Sequence, residues 1–394
     1  PLPADTGGKI RTWNILKQLA RSARVHLVCF SFDKADQDMS LELKEDGIDV
    51  TLVPMKEPGM IKKIMQVLFN SLPVSIEKYY SEDMKNVLCE LNETNQFDAI
   101  HIDHLHMAHY CECFRNIPCV MDEHNVEYKI LERCAHVEKS LIKKLVFESQ
   151  ARKMKVFEKR SIKKVCIYLA VSKGDRNILQ DLGGGRISGY VIPNGVDTKY
   201  FYESRAECSE EENALVFTGS MDWLPNEDSV QYFVEEILPL VRNKDSSVKL
   251  YVVGKNPPEY LSAYAEKNKG IVITGRVDDV RIYVARSKVF VVPLRIGGGT
   301  RLKILEAMSM NKAIVSTSIG AEGISYAEND NIILADDPIQ FANKIISLLG
   351  DNEKRKSLGC AGRKLVLTKY DWDIGQIPLF TAYKKVVYDW NGKE

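Results

Sequence analysis

VFVVPLRIGGGTRLKILEAM, residues 289–308, is the stretch on which the fold turns. Val289 to Leu294 is β-branched and apolar, the composition of a strand buried on both faces. Three glycines, Gly297 to Gly299, then run directly into a helical pattern with Leu302, Ile304, Leu305, Ala307 and Met308 on its apolar side. A strand that turns through glycines into a helix is the repeating unit of a parallel sheet. It is also an anion site. Glycines admit an anion close to the backbone, and the free N–H groups and dipole of a helix start favour negative charge by about 0.3–1 kcal/mol per exposed charge. Arg301 and Lys303 add full charges, so the loop suits a diphosphate and would stabilise charge developing on a departing phosphate without a metal. Glu306 lies one helical step beyond Lys303 and is the only acid in the run. A carboxylate there can accept two hydrogen bonds from a ribose diol. An exposed Glu paired with Lys303 is an equal reading of that residue alone, and many folds cradle phosphate in glycine-rich loops.

The same strand-and-helix rhythm extends outward in both directions. In the second half, strands are expected at Ala214 to Thr218, Val248 to Gly254, Ile271 to Gly275, Val289 to Leu294, Ala313 to Thr317 and Asn331 to Ala335. In the first half they are expected at Val25 to Phe32, Ile48 to Met55, Phe97 to Asp103, Pro118 to His124, Cys166 to Ser172 and Tyr190 to Pro193. Amphipathic stretches separate them, so the fold class is α/β with two doubly wound parallel sheets. At 394 residues the chain exceeds what one core usually supports, about 250–300 residues. The expected domains are 1–193, 194–370 and a closing helix at 371–394 that packs back on the first. Turn chemistry at Pro193-Asn194-Gly195 and the acidic stretch Glu203 to Asn213 place the linker. The opening PLPADTGG reads as a loop into a helix, so one strand of the natural protein is expected ahead of it. In open parallel sheets ligands bind beyond the carboxyl ends of strands. Two such domains facing a cleft make the residues just after each strand the ones to inspect.

Composition excludes several classes of function. Lys+Arg and Asp+Glu both number 54, which gives no overall field for wrapping nucleic acid. Nine scattered cysteines without framework spacing fit a reducing compartment rather than a disulfide scaffold. No apolar run approaches the roughly 20 residues of a membrane span, and no secretion signal opens the chain. A cytoplasmic protein is expected.

Further motifs give the pattern a family. PLRIGGGTRLKILEAM followed by GAEG (320–323), with TGGKIR (6–11), DEHNVE (122–127), AVSKGD (170–175), VIPNGVD (191–197), FTGSMDWLPN (217–226) and ITGRVDD (273–279), resembles the retaining GT-B glycosyltransferases of family four. More narrowly, the chain is similar to bacterial sugar transferases of surface-polysaccharide pathways. The resemblance implies two Rossmann-like domains that close on a nucleotide diphosphate sugar, with no metal and no other cofactor. It implies that Glu306 holds the ribose, that Arg301 and Lys303 lie in the phosphate loop with Gly298, Gly299 and Thr300, and that Gly7 and Gly8 approach the diphosphate. Arg276 and Val277 fall where the base is held, and His124 matches the histidine that contacts the transferred sugar. The catalytic set so implied is His124, Glu306, Lys303 and Arg301. Two positions depart from the family. Gly298 stands where a second acid is common, and the stretch after Thr218 lacks the usual basic residues.

No flanking carboxylate pair of the kind hydrolases use is evident, so front-face transfer with retention is expected, the leaving phosphate assisting the acceptor's proton. The segment HIDHLHMAH (101–109) fits no usual zinc spacing. His104 and His106 are candidates for the acceptor side, although a solvated loop is the plainer reading. Asp371-Trp372-Asp373 reads as the cap of the final helix rather than a metal-binding pair. The basic stretch Leu141 to Val165 reads first as a helix covering the first sheet and second as one that rests on anionic lipid. Peripheral contact with the inner membrane face would suit a lipid-linked acceptor. The rival functions are a GT-B sugar-nucleotide epimerase and a non-catalytic nucleotide-sugar-binding protein.

Overall fold

The computed structural model describes residues 1–32, 35–55, 70–202, 210–375 and 377–392, with the side chains of 35–37 left out. The chain divides into two compact units, Pro1–Pro193 with Gln376–Glu394, and Asn194–Gly375.

Among the described residues eleven of the twelve strands fall within the runs that the sequence marks; the sixth, expected at Tyr190 to Pro193, runs instead from Ser188 to Val191, and every pairing is parallel. In the first unit, β1 (Val25–Ser31) pairs with β2 (Ile48–Pro54). A second sheet has the order β3 (Ile100–Asp103), β4 (Cys119–Glu123), β5 (Ile167–Ala170), β6 (Ser188–Val191). β4 and β5 are buried along their whole length, with Val120, Met121, Tyr168 and Leu169 in the cores on either side. The helix Ile377–Asn391 belongs to this unit: Leu379, Ala382 and Val386, spaced to share one face, pack against Ile15, Val120, Leu169 and Ile192. The acidic segment 203–209 lies outside the described residues. The stretch that follows it is held: Glu210 pairs with Lys312 at 3.0 Å, and Glu211 accepts a hydrogen bond from the Tyr251 hydroxyl at 2.8 Å.

The second unit has one six-stranded sheet, ordered β12 (Ile333–Leu334), β11 (Ala313–Ser316), β10 (Val289–Val292), β7 (Ala214–Thr218), β8 (Lys249–Val253), β9 (Ile271–Ile273). From β7 the chain steps outward through β8 and β9, then returns to lay β10, β11 and β12 on the other side. The direction of winding therefore reverses between β7 and β10, and the loops after those two strands diverge to open a crevice. Helix Leu302–Ser309 leaves β10 and buries Ile304, Leu305, Ala307 and Met308. It packs closely on helix Asn352–Lys369, where a side chain at Gly359 would collide with the Asn311 carbonyl. The unit runs to Gly375 because Thr198 donates to Asp371 at 2.5 Å and Trp372 lies flat against Gly195. Asp371 also receives the Asp373 N–H, so it caps the short helix Trp372–Gly375 and not the long helix that follows.

Candidate functional site

In the second unit the crevice is walled by the loops after β7 and β10. Gly297 and Gly299 have φ of 155° and 65°, conformations that favour glycine. A Cβ at Gly297 would occupy the space of the Arg301 guanidinium, which folds back to donate to the Gly299 carbonyl at 3.0 Å. Arg301 thus braces the loop from within. Gly298 is partly exposed, and Thr300 is buried with its carbonyl accepting from Asn194 at 3.4 Å.

Lys303 reaches across the crevice. Its Nζ donates to the Asn226 side-chain carbonyl at 2.8 Å and stands 3.9 Å from the centroid of the Phe217 ring. Asn226 in turn donates to the Ser220 carbonyl at 2.8 Å, which ties the β7 loop to the β10 helix. Burial, reinforced by the neighbouring Arg301 charge, brings Lys303 down to about 7. Burial raises Glu306 to about 7 against the pull of Lys303. Both groups are therefore poised near neutrality. Arg276 is exposed beyond β9, after Gly275 at φ 68°, and Val277 packs against the core beneath the β9 loop.

In the first unit a buried charge network surrounds His124. Arg11 binds Asp122 through two bonds, Nε to Oδ2 at 2.9 Å and Nη2 to Oδ1 at 2.6 Å, and donates to the Ile192 carbonyl at 2.9 Å. His124 Nε2 lies 2.9 Å from Asp103 Oδ1 and 3.5 Å from Asp122 Oδ2. Burial alone would depress this imidazole, yet the two carboxylates outweigh it and raise His124 to about 9. It is an imidazolium at neutral pH. Its Nδ1 is buried with no hydrogen-bond partner among the described residues, and a methyl group at Gly8 would stand 3.6 Å from it. Gly7 and Gly8, both exposed, begin the helix Gly7–Ala20, so the helix start and the idle N–H of His124 face the same space.

His104 and His106 are not in a solvated loop. Leu105–Cys113 is a 3-10 helix anchored by buried Leu105, Ala108, Tyr110 and Cys111. The His104 ring sits 4.8 Å from that of His124 and 4.3 Å from that of His106, with its Nε2 3.6 Å from Glu127. Burial and the neighbouring imidazoles bring both His104 and His106 down to about 3, so they are neutral beside the charged His124.

Sequence reasoning passed over Arg11, Asp103, Asp122 and Asn226 as functional side chains. Two signals were available: an acid inside a strand as apolar as CVMDE must be buried with a partner, and Arg11 shares the inward face of its helix with Ile15 and Gln18. His101, Asp103 and Asp122 have ligand-type atoms within 4.8 Å of one another. Asp122 is already saturated by Arg11, Asp103 accepts from Thr12 at 2.7 Å, and His101 Nδ1 lies 2.5 Å from the Tyr383 hydroxyl. Charge in this cluster is thus balanced by the protein's own groups.

Comparison with known proteins follows the same division of the chain. Residues 6–200 match the family model for Glycosyltransferase Family 4, and residues 212–351 match that for Glycosyl transferases group 1. The capsular polysaccharide biosynthesis glycosyltransferase CapM of Staphylococcus aureus is 23% identical over 220 residues, 52% of this chain and 57% of that protein. The chain spans about half the length of the curated relatives it matches, from 41% to 57%. Among solved structures, sucrose-phosphate synthase from Thermosynechococcus elongatus superposes with a TM-score of 0.69 at 14% identity, over 93% of this chain and 100% of that one. Anabaena HepE, solved in complex with UDP, gives a TM-score of 0.66 at 13% identity over 98% of both chains. With a glycosyltransferase family model on each unit and two Rossmann-like units in the GT-B fold, the chain belongs to the GT-B glycosyltransferases.

Proposed function

We propose that the protein transfers a sugar from a nucleoside diphosphate sugar to a glycan or lipid-linked acceptor, with retention at the anomeric carbon and without a metal, in the synthesis of bacterial surface polysaccharide. The observation that carries this reading is the poised pair on helix Leu302–Ser309. Lys303 and Glu306 are each held far from their usual ionisation by burial. A diphosphate would restore the lysine's charge, and ribose hydroxyls would supply the hydrogen bonds that a buried carboxylate lacks. As the bond to the sugar breaks, Lys303, the helix start and the N–H groups of Gly298 to Thr300 would take the growing charge on the leaving phosphate.

His124 acts in this scheme as a donor to the transferred sugar and not as a base, because its flanking carboxylates keep it protonated. His104 and His106, neutral and beside it, are the proposed acceptor contacts. The similarity to CapM supports a polysaccharide acceptor, and the likeness to a UDP-bound structure supports a uridine donor. Arg276 and Val277 are the proposed neighbours of the base.

Thermal unfolding with UDP, GDP, ADP, dTDP and their common sugars, with and without magnesium, tests the donor site. A ligand at 100 times its Kd should add about 2.7 kcal/mol of stability. One base is expected to shift the wild type without magnesium and to leave Glu306→Ala unmoved; no shift with any nucleotide overturns the reading. Once an acceptor is found, an inverted product anomer would refute retention. Isomerised donor would identify an epimerase instead.

A further inference from the structure

Helix Leu141–Ile162 begins in a way that its own fold does not reward. Leu141, Ile142 and Leu145 are 77%, 78% and 63% exposed, and with Val146 they form one continuous face, since positions four apart are neighbours on a helix. The first turn has no acidic residue and Ser140 provides no side-chain cap. Lys143 and Lys144 stand instead at the positive end of the helix dipole, where cations are disfavoured. Over its length the helix has seven basic residues against two acidic, and Glu158 of those two is buried.

Beside this start, between it and helix Glu127–Val137, lies a cavity of about 430 Å³ lined by His136, Lys144, Arg152 and Lys155, with Glu132 and Glu148. Both acids are engaged, Glu132 by Lys129 at 2.8 Å and Glu148 by Arg152 at 3.7 Å. Lys155 lies over the Tyr128 ring at 4.9 Å. The cavity therefore keeps a cationic lining, with Lys144 in no ion pair among the described residues.

An apolar face, clustered cations and a bare helix start are unfavourable together in water, and one environment satisfies all three. We propose that this end of the helix docks on a bilayer containing anionic phospholipid. Leu141, Ile142 and Leu145 enter the acyl boundary, while Lys139, Lys143 and Lys144 and the cavity beside them take headgroup phosphates. This docking does not depend on the sugar chemistry, so the two proposals can fail separately.

The test is co-sedimentation of the full chain, without nucleotide, with vesicles of phosphatidylcholine alone or with added phosphatidylglycerol. Binding is expected only to the anionic vesicles, and raised salt should weaken it. Lys143→Glu should cost about fivefold or more, and the triple change Leu141→Ser, Ile142→Ser, Leu145→Ser should abolish binding. Both variants should keep the wild-type unfolding midpoint, because the side chains changed are exposed. The proposal is overturned if neither vesicle binds, or if the variants bind as wild type does. It is also overturned if the serine changes abolish a concentration-dependent dimer in sedimentation velocity while vesicle binding is nil, which would assign the face to a second copy.

Discussion

At the scale of single residues, the site is a set of ionisation states imposed by burial. His124 owes its charge to Asp103 and Asp122, and Asp122 is in turn held ionised by Arg11. Asp103→Asn should therefore lower the His124 titration, followed by its imidazole proton resonances, from about 9 toward the ordinary histidine value of 6.5. The sign for stability follows: a histidine raised on folding stabilises fully below about 6.5, and the benefit is lost as pH rises through about 9. An unchanged titration in Asp103→Asn would mean that Asp122 alone sets the charge. These dependencies were the least legible part of the sequence. Arg11 and Asp122 are 111 positions apart, and nothing local in TGGKIR or DEHNVE says that one neutralises the other. Lys303 and Glu306 were legible because glycine loop, cation and acid lie on one turn of one helix. Asn226, the partner of Lys303, was not, because it comes from the far side of the strand reversal.

At the scale of elements, the strands were legible because a strand buried on both faces is written as an uninterrupted apolar run, as in VFVV and ALVFT. Helix starts were less so. Helix Glu127–Val137 has no side-chain cap of its own; buried Glu158, from the neighbouring helix, accepts from the N–H groups of Glu127 and Tyr128 at 3.0 and 3.4 Å. Burial is the main cause that raises Glu158 from 4.5 to about 8, helped by the Glu127 charge and opposed by those two N–H groups. A carboxyl raised on folding gives its full contribution below about 4.5 and loses it as pH climbs through about 8. Wild-type melting temperature should fall across that window. Glu158→Gln, which keeps an acceptor for the N–H groups and cannot ionise, should flatten the alkaline arm of the profile; parallel profiles would place the pH-sensitive group elsewhere, with buried Glu123 the next candidate.

At the scale of the molecule, two units with separate cores were legible from the repeated rhythm, and so was a helix that packs back on the first; that the first unit's described strands form two sheets, β1–β2 and β3–β6, was not. The apolar face of that helix supplies Leu379, Ala382 and Val386 to the first unit, and Tyr383 meets His101 of the same network that holds His124. Loss of even one such buried leucine typically costs about 2–5 kcal/mol. A fragment of residues 1–193 should therefore be poorly folded by circular dichroism and proteolysis, and a peptide of residues 377–392 added in trans should restore protection. A protected fragment without the peptide would show that the helix is dispensable to the first unit.

The discontinuity of that unit also sets an order of events at the ribosome. Its first 193 residues emerge early, yet the helix that closes its core follows the whole of Asn194–Gly375. At a synthesis rate of about 5–20 residues per second, the nascent chain spends tens of seconds or less with Ile15, Val120 and Leu169 uncovered while the second unit is already able to fold. The helix acts as a late latch: a polypeptide released before it would keep that core open, with the face of Ile15, Val120 and Leu169 left to water.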